Sequence, residues 1–254
     1  FISVLFESSY VFYDYITSSD INFTGVSMNR NISAFSILIK LPFIFIYKSI
    51  NQNQNKPLSL IQEIIIISSI IILESRAAIV VLIMIYLLKI VLTKDKLKSM
   101  ITIFLSILAL FIYYPFSRIL QNKSFDTNII LDESVNLRLD FYSSSIELFL
   151  NNYIIGNGIG MWKILSNQMS ISQVPYYVHN DFLQFLTETG VIGLILYMFF
   201  FISVFYLIIK NWNNNSIYFL MALMVFLIDS LINFPFYRPQ QIIIFILIIG
   251  LLIN

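Results

Sequence analysis

The chain has no cysteine, one histidine and few charges. Of its 254 residues, 11% are Asp, Glu, Lys or Arg, where a soluble domain carries about a quarter. Without cysteine it has neither disulfides nor thiolate metal ligands. A single histidine, His179, argues against a His-rich metal centre. The formal net charge is +1, so nothing electrostatic supports a nucleic-acid partner. What is plentiful is apolar: hydrophobic residues make up 58% of the chain. That balance indicates a polytopic membrane protein. The first residue is Phe1 and no signal peptide is visible, the pattern expected of a fragment whose earlier spans are missing.

Residues 1–33 read as an outer segment. Phe1 to Phe12 is apolar enough for the tail of a missing span or a surface helix, and Asp14 to Asn31 reads as loop. Four candidate transmembrane helices occupy 34–116, near 34–50, 58–74, 77–93 and 99–116. Three more occupy 182–254, near 182–209, 216–234 and 240–254. Several fall short of the roughly 20 residues a spanning helix prefers. Glu74-Ser75-Arg76 makes a tight hairpin. The polar stretch 117–181 cannot cross the hydrocarbon core, where each unpaired backbone group is costly. The expected fold is all-α: a polytopic transmembrane helix bundle with a long outer-face loop containing short helices. That loop, 117–181, is the working part.

Lys and Arg in the connections set the orientation. Lys48, Lys56, Lys89, Lys94, Lys96, Lys98 and Lys210 fall on one side, the cytoplasmic one. Every arginine, Arg30, Arg76, Arg118, Arg138 and Arg238, falls on the other. Lys suffices as a topological charge, whereas the Arg fork matches phosphate oxygens. The asymmetry suggests an outer-face site for a phosphorylated ligand, against the alternative of chance sorting. Lys40 fits poorly, about 10 Å into a span beginning at Ala34. It either snorkels outward or the span begins near Leu41.

Asn180 or Asp181 is a plausible N-cap where the loop re-enters the membrane. Asp181, Gln184 and Glu188 then share one helical face, a polar stripe that implies a protein-lined or wet cavity. Gly190 and Gly193 would let a neighbouring helix approach closely. His179, at the mouth of the stripe, reads either as a general base or as an interfacial residue bonded to loop backbone. Gly156-Asn157-Gly158-Ile159-Gly160 is no dinucleotide fingerprint and reads as a turn. It follows an amphipathic stretch, Leu137 to Leu150, with Leu139, Tyr142, Ile146, Phe149 and Leu150 as its apolar face. Arg138 stands at the start of that stretch, poorly placed for the helix dipole, which hints at a ligand or carboxylate contact; a plain surface Arg is the alternative.

Together these stretches resemble the O-antigen ligase and polymerase-like family of bacterial membrane glycosyltransferases. The matching residues are Gly25 to Asn31 with Ala34, Ser75-Arg76-Ala77-Ala78, Arg138, and Gly156 to Gly160. His179-Asn180-Asp181-Phe182-Leu183-Gln184, followed by Glu188, Gly190 and Gly193, completes the set. Arg30 and Ala77 depart from the family pattern. The resemblance covers about residues 25–254. It implies transfer of a glycan from an undecaprenyl-pyrophosphate carrier to an acceptor sugar hydroxyl, at the outer (periplasmic) face of the bacterial plasma membrane, in cell-surface polysaccharide or lipopolysaccharide biosynthesis. It further implies His179 and Arg138 as catalytic residues. Arg76, Arg30, Arg238, Asn180 and Glu188 would bind substrate or pyrophosphate. No metal and no cofactor are expected; the partners are the carrier-linked glycan, an acceptor glycan or glycolipid, and the bilayer. The rival classes are a polysaccharide or lipid-linked sugar transporter, which should gather polar groups at midplane in broken helices of repeated halves, and a non-catalytic membrane partner.

Overall fold

The computed structural model describes residues 2–17, 24–50, 56–92, 100–102, 104–105, 107–108, 127–169 and 176–253. Among them the regular structure is entirely helical. The helices are α1 (Ile2–Thr17), α2 (Arg30–Leu38), α3 (Leu41–Ile50), α4 (Lys56–Ile72), α5 (Arg76–Leu92), α6 (Thr127–Asn151), α7 (Met161–Leu165), α8 (Asp181–Lys210), α9 (Ser216–Ile232) and α10 (Pro239–Ile253). Short 3₁₀ turns lie at Ser166–Gln168 and Pro235–Tyr237. The fourth expected span, 99–116, and Arg118 lie largely or wholly outside the described residues. Among the described residues, two stretches are long and apolar enough to cross a membrane: Arg30–Ile50, 21 residues, and Asp181–Lys210, 30 residues. The helices α4, α5, α9 and α10 run 15 to 17 residues, shorter than a spanning helix prefers.

The chain divides into two compact units, Phe1–Phe125 with Trp212–Val225, and Asp126–Asn211 with Phe226–Asn254. In the first, α1 packs on α4, and α2 lies against α4 and α5. Asp14, read from the sequence as loop, is still helical, because α1 runs on to Thr17. Its carboxylate accepts the Thr24 and Gly25 N–H groups at 2.9 Å each, which brings the chain back toward α2. Asn29 caps α2 by accepting from Ile32 N–H. Ser75 donates to Asn31 at 2.8 Å and so ties the α4–α5 hairpin to the start of α2.

Lys40 does not snorkel outward; a new helix begins at Leu41, the second of the two expected courses. The helix breaks at Ile39–Lys40, between α2 and α3, and the buried ammonium pairs with Glu7 of α1 and donates to Ser36 at 3.3 Å. Ser36 in turn donates to Glu7 at 3.0 Å. A buried charge is retained only when it is paired and hydrogen-bonded, and Glu7 lies too far back in the chain for local pattern to reveal the pair. Lys48 and Lys89, read as topological charges, share the buried Glu63 at 2.5 and 3.6 Å. Lys89 also sits 3.7 Å from the centre of the Phe45 ring.

In the second unit α6 packs on α8. Ser145 and Thr187 meet hydroxyl to hydroxyl at 2.5 Å, buried at the crossing. α6 is longer than the amphipathic stretch that announced it, so Arg138 stands well inside the helix and the dipole argument lapses. The expected apolar face is also displaced. Phe141, Ser145 and Leu148 are buried, whereas Leu139, Ile146 and Leu150 are exposed. Small residues at the crossing let the backbones approach, and the helix turns that side inward.

The helix α8 breaks at Gly190, whose φ of 67° and ψ of −166° are not helical. A broken helix leaves backbone groups without partners, and here a turn rather than a neighbouring helix supplies them. Asn157 and Gly158 N–H donate to the Thr187 and Glu188 carbonyls at 3.0 and 2.8 Å. Val191 N–H donates to the Tyr153 carbonyl at 2.9 Å. The Asn157 side chain adds bonds to the carbonyls of Leu148 and Thr187. A Cβ on Gly190 would stand 2.2 Å from the Ile154 carbonyl oxygen. At Gly193 a Cβ would instead meet Thr189 of its own helix.

Candidate functional site

The approach to α8 is fixed at every residue. Val178 N–H donates to the Gln184 side chain at 2.8 Å. The carbonyl of His179 accepts from Tyr142 OH at 3.1 Å. Asn180 caps α8 by accepting from Leu183 N–H and donates from its amide to the Leu231 carbonyl, both at 3.1 Å. Held from both sides, His179 adopts φ of 61°, a conformation that costs a non-glycine residue of order 1–2 kcal/mol. Its ring stacks on Phe141 and meets the edge of Phe234, with centroids 6.2 and 5.0 Å apart. The Nδ1 atom is buried with no hydrogen-bond partner.

Phe234 carries Arg238 as well, with the guanidinium carbon 4.5 Å from the ring centre. Arg238 Nε is likewise buried without a partner. Tyr177 stacks on the same ring at 4.4 Å and leans on Tyr237 at 5.1 Å. The turn that presents Arg238 is held by buried carboxylates. Asp181 accepts Phe236 N–H at 3.0 Å and Tyr197 OH at 3.4 Å. Glu188 accepts Tyr237 OH at 3.4 Å and the Gln184 amide at 2.5 Å. Asp229 accepts from Asn233 and Gln241, both at 2.7 Å, on either side of the turn.

The charges converge on the imidazole. Burial draws the His179 pKa down to about 4, helped by the positive fields of Arg138 and then Arg238. The ring is therefore neutral at physiological pH and able to accept a proton. Arg138 acts on Tyr142 by the same field, one helical turn along α6. Among the described residues no three His, Asp or Glu side chains are grouped as a metal site.

The second unit thus gathers His179, Arg138, Arg238, Asn180 and Glu188, with Asn180 and Glu188 engaged in holding the backbone and the turn. Arg30 and Arg76 belong to the first unit: Arg30 pairs with Glu74 at 3.3 Å, and Arg76 stands exposed at the start of α5. Sequence reasoning did not single out Phe234 or Tyr142 as site residues. Their signal is spacing, since Phe234–Arg238 and Arg138–Tyr142 are each four apart.

The sequence profile of the O-antigen ligases matches residues 64–198, more than half of the chain. The chain belongs to the O-antigen ligase family. The matched region of this O-antigen ligase relative contains Arg138, the Gly156 to Gly160 turn, His179 and Glu188, and stops before Arg238. No curated protein matches the chain.

Proposed function

We propose that the protein transfers a glycan from an undecaprenyl-pyrophosphate carrier to an acceptor sugar hydroxyl, at the outer face of a bacterial plasma membrane that its apolar helices span. The observation that carries this reading is the pairing of His179 and Arg238 on Phe234, each with a buried nitrogen lacking a partner. An unmet arginine donor beside an unmet imidazole suits an anionic leaving group next to a hydroxyl nucleophile. The acceptor oxygen attacks the anomeric carbon, the bond from that carbon to the pyrophosphate oxygen breaks, and the acceptor proton passes to His179. Arg238 and Arg138 stabilise the negative charge that grows on the departing pyrophosphate. Burial first, and then the fields of Arg138 and Arg238, hold His179 neutral; an anionic pyrophosphate offsets the part owed to the arginines and raises the basicity of the imidazole by that part alone. Asn180 and Glu188 act here through the backbone and the turn; Arg30 and Arg76 remain candidates for the carrier's phosphates.

The broken helix α8 has the look of a transporter element. Its freed carbonyls at Thr187 and Glu188 are nevertheless taken by the 157–158 backbone, which leaves them unavailable to a substrate. The test is transfer of carrier-linked glycan by purified full-length variants at matched thermal stability. Arg238→Lys keeps the charge but loses the fork and should slow transfer by roughly 30- to 1000-fold, about 2–4 kcal/mol of transition-state stabilisation. His179→Ala should lose about 10²- to 10⁴-fold. Near-wild-type turnover in both variants refutes the reading.

A further inference from the structure

The apolar stripe that α6 turns away from its own core continues into other elements. Val135, Leu139, Ile146 and Leu150 are exposed on the side opposite Phe141 and Leu148. An exposed polar edge of Asn136, Asp140, Ser143 and Glu147 runs beside them. The following turn extends the stripe with Tyr153, Ile154, Ile155 and Ile159, the last two 72% and 83% exposed. Backbone bonds splice this turn into α8 at residues 187–191. There α8 exposes Val191, Ile192, Ile195 and Leu196, in a strongly apolar helix most of whose residues are not buried. The 30 residues of α8 span about 45 Å, against roughly 30 Å of hydrocarbon. Gly190 lies about 13 Å from the first residue of α8, so the splice falls near the hydrocarbon boundary.

We infer that α6 and the 153–159 turn form an amphipathic hairpin lying in one leaflet, its Leu139–Ile146–Leu150 stripe and Ile154, Ile155 and Ile159 against lipid acyl chains. An apolar stripe beside a polar edge is the pattern of a helix in the interface plane, and an apolar patch this continuous does not face water. The inference rests on the proposal that α8 spans the membrane. It sets His179 and Arg238 at headgroup height, where the phosphates of a lipid-linked substrate lie.

The absence of native cysteine permits a direct test on the full chain in phosphatidylethanolamine–phosphatidylglycerol vesicles. Leu139→Cys, Ile146→Cys, Ile155→Cys, Ile159→Cys, Asp140→Cys and Glu147→Cys are nitroxide-labelled singly. Collision rates with oxygen and with a nickel chelate are then compared. Oxygen collisions should exceed chelate collisions at 139, 146, 155 and 159 and fall below them at 140 and 147. Chelate-dominated collisions along the stripe would overturn the inference in favour of water. Shielding from both probes would overturn it in favour of a protein cover, such as a second copy. A Phe199→Cys label on α8 separates the two proposals: if it is lipid-exposed while the stripe is not, the hairpin inference alone fails; if it is not, the spanning reading fails.

Discussion

Replacing Gly156 by alanine tests the splice between the glycine-rich turn and the broken helix. A Cβ at this position would stand 2.4 Å from the Glu188 carbonyl carbon and 2.5 Å from both the Glu188 oxygen and the Gly190 nitrogen. All of these are backbone atoms, so no side chain can swing aside. The turn must leave the kink, and the bonds Asn157 N–H to Thr187, Gly158 N–H to Glu188 and Val191 N–H to Tyr153 go with it. The carbonyls of Thr187 and Glu188 belong to buried residues, and each left unmet costs about 1–3 kcal/mol. The φ of +71° adds about 1 kcal/mol for any residue with a Cβ. Loss of even two bonds brings the sum to about 4 kcal/mol. Gly160 is the control: it too has positive φ, +78°, but nothing lies within 4 Å of its Cβ position. Gly160→Ala should therefore cost only about 1 kcal/mol of backbone strain. Denaturant titration of the purified protein in detergent, followed by circular dichroism, measures both. Equal stability of Gly156→Ala and Gly160→Ala would refute the splice as the reason for glycine at 156.

The neutral, buried His179 makes stability depend on pH. Its folded pKa of about 4 lies below its ordinary 6.5, so the unfolded chain binds the extra proton in that window. The His179 contribution to stability falls as pH drops from about 6.5 to about 4, by at most about 3 kcal/mol; His179→Asn, which tolerates positive φ, should remove that part, read as the difference between the two proteins in acid titrations of unfolding. Lys40→Met alone strands Glu7 and should cost about 3–5 kcal/mol, whereas Lys40→Met with Glu7→Leu should lie near wild type; a double-mutant cycle of unfolding free energies reads the difference. For topology, Asn151→Cys should be labelled from outside intact cells and Asn214→Cys only after permeabilisation; the reverse pattern would overturn the sidedness of the site.

Local pattern along the chain specifies the helical class, the placement of most helices to within a few residues, a cap at Asn180 or Asp181 that the structure resolves to Asn180, and the burial of Asp181, Gln184 and Glu188. These depend on neighbours within about one or two turns, which local spacing records. The inward face of α6 was not legible, because a helix that meets protein on one side and an apolar phase on another is apolar on both, and periodicity cannot say which is which. The pairing of Lys40 with Glu7, the meeting of Gly156 with Gly190, and the shared seat of His179 and Arg238 on Phe234 join residues that are distant along the chain. Such meetings leave no local trace. Only the tertiary structure decides them, because only packing removes the water that would otherwise satisfy a buried charge, a broken helix or an unmet donor.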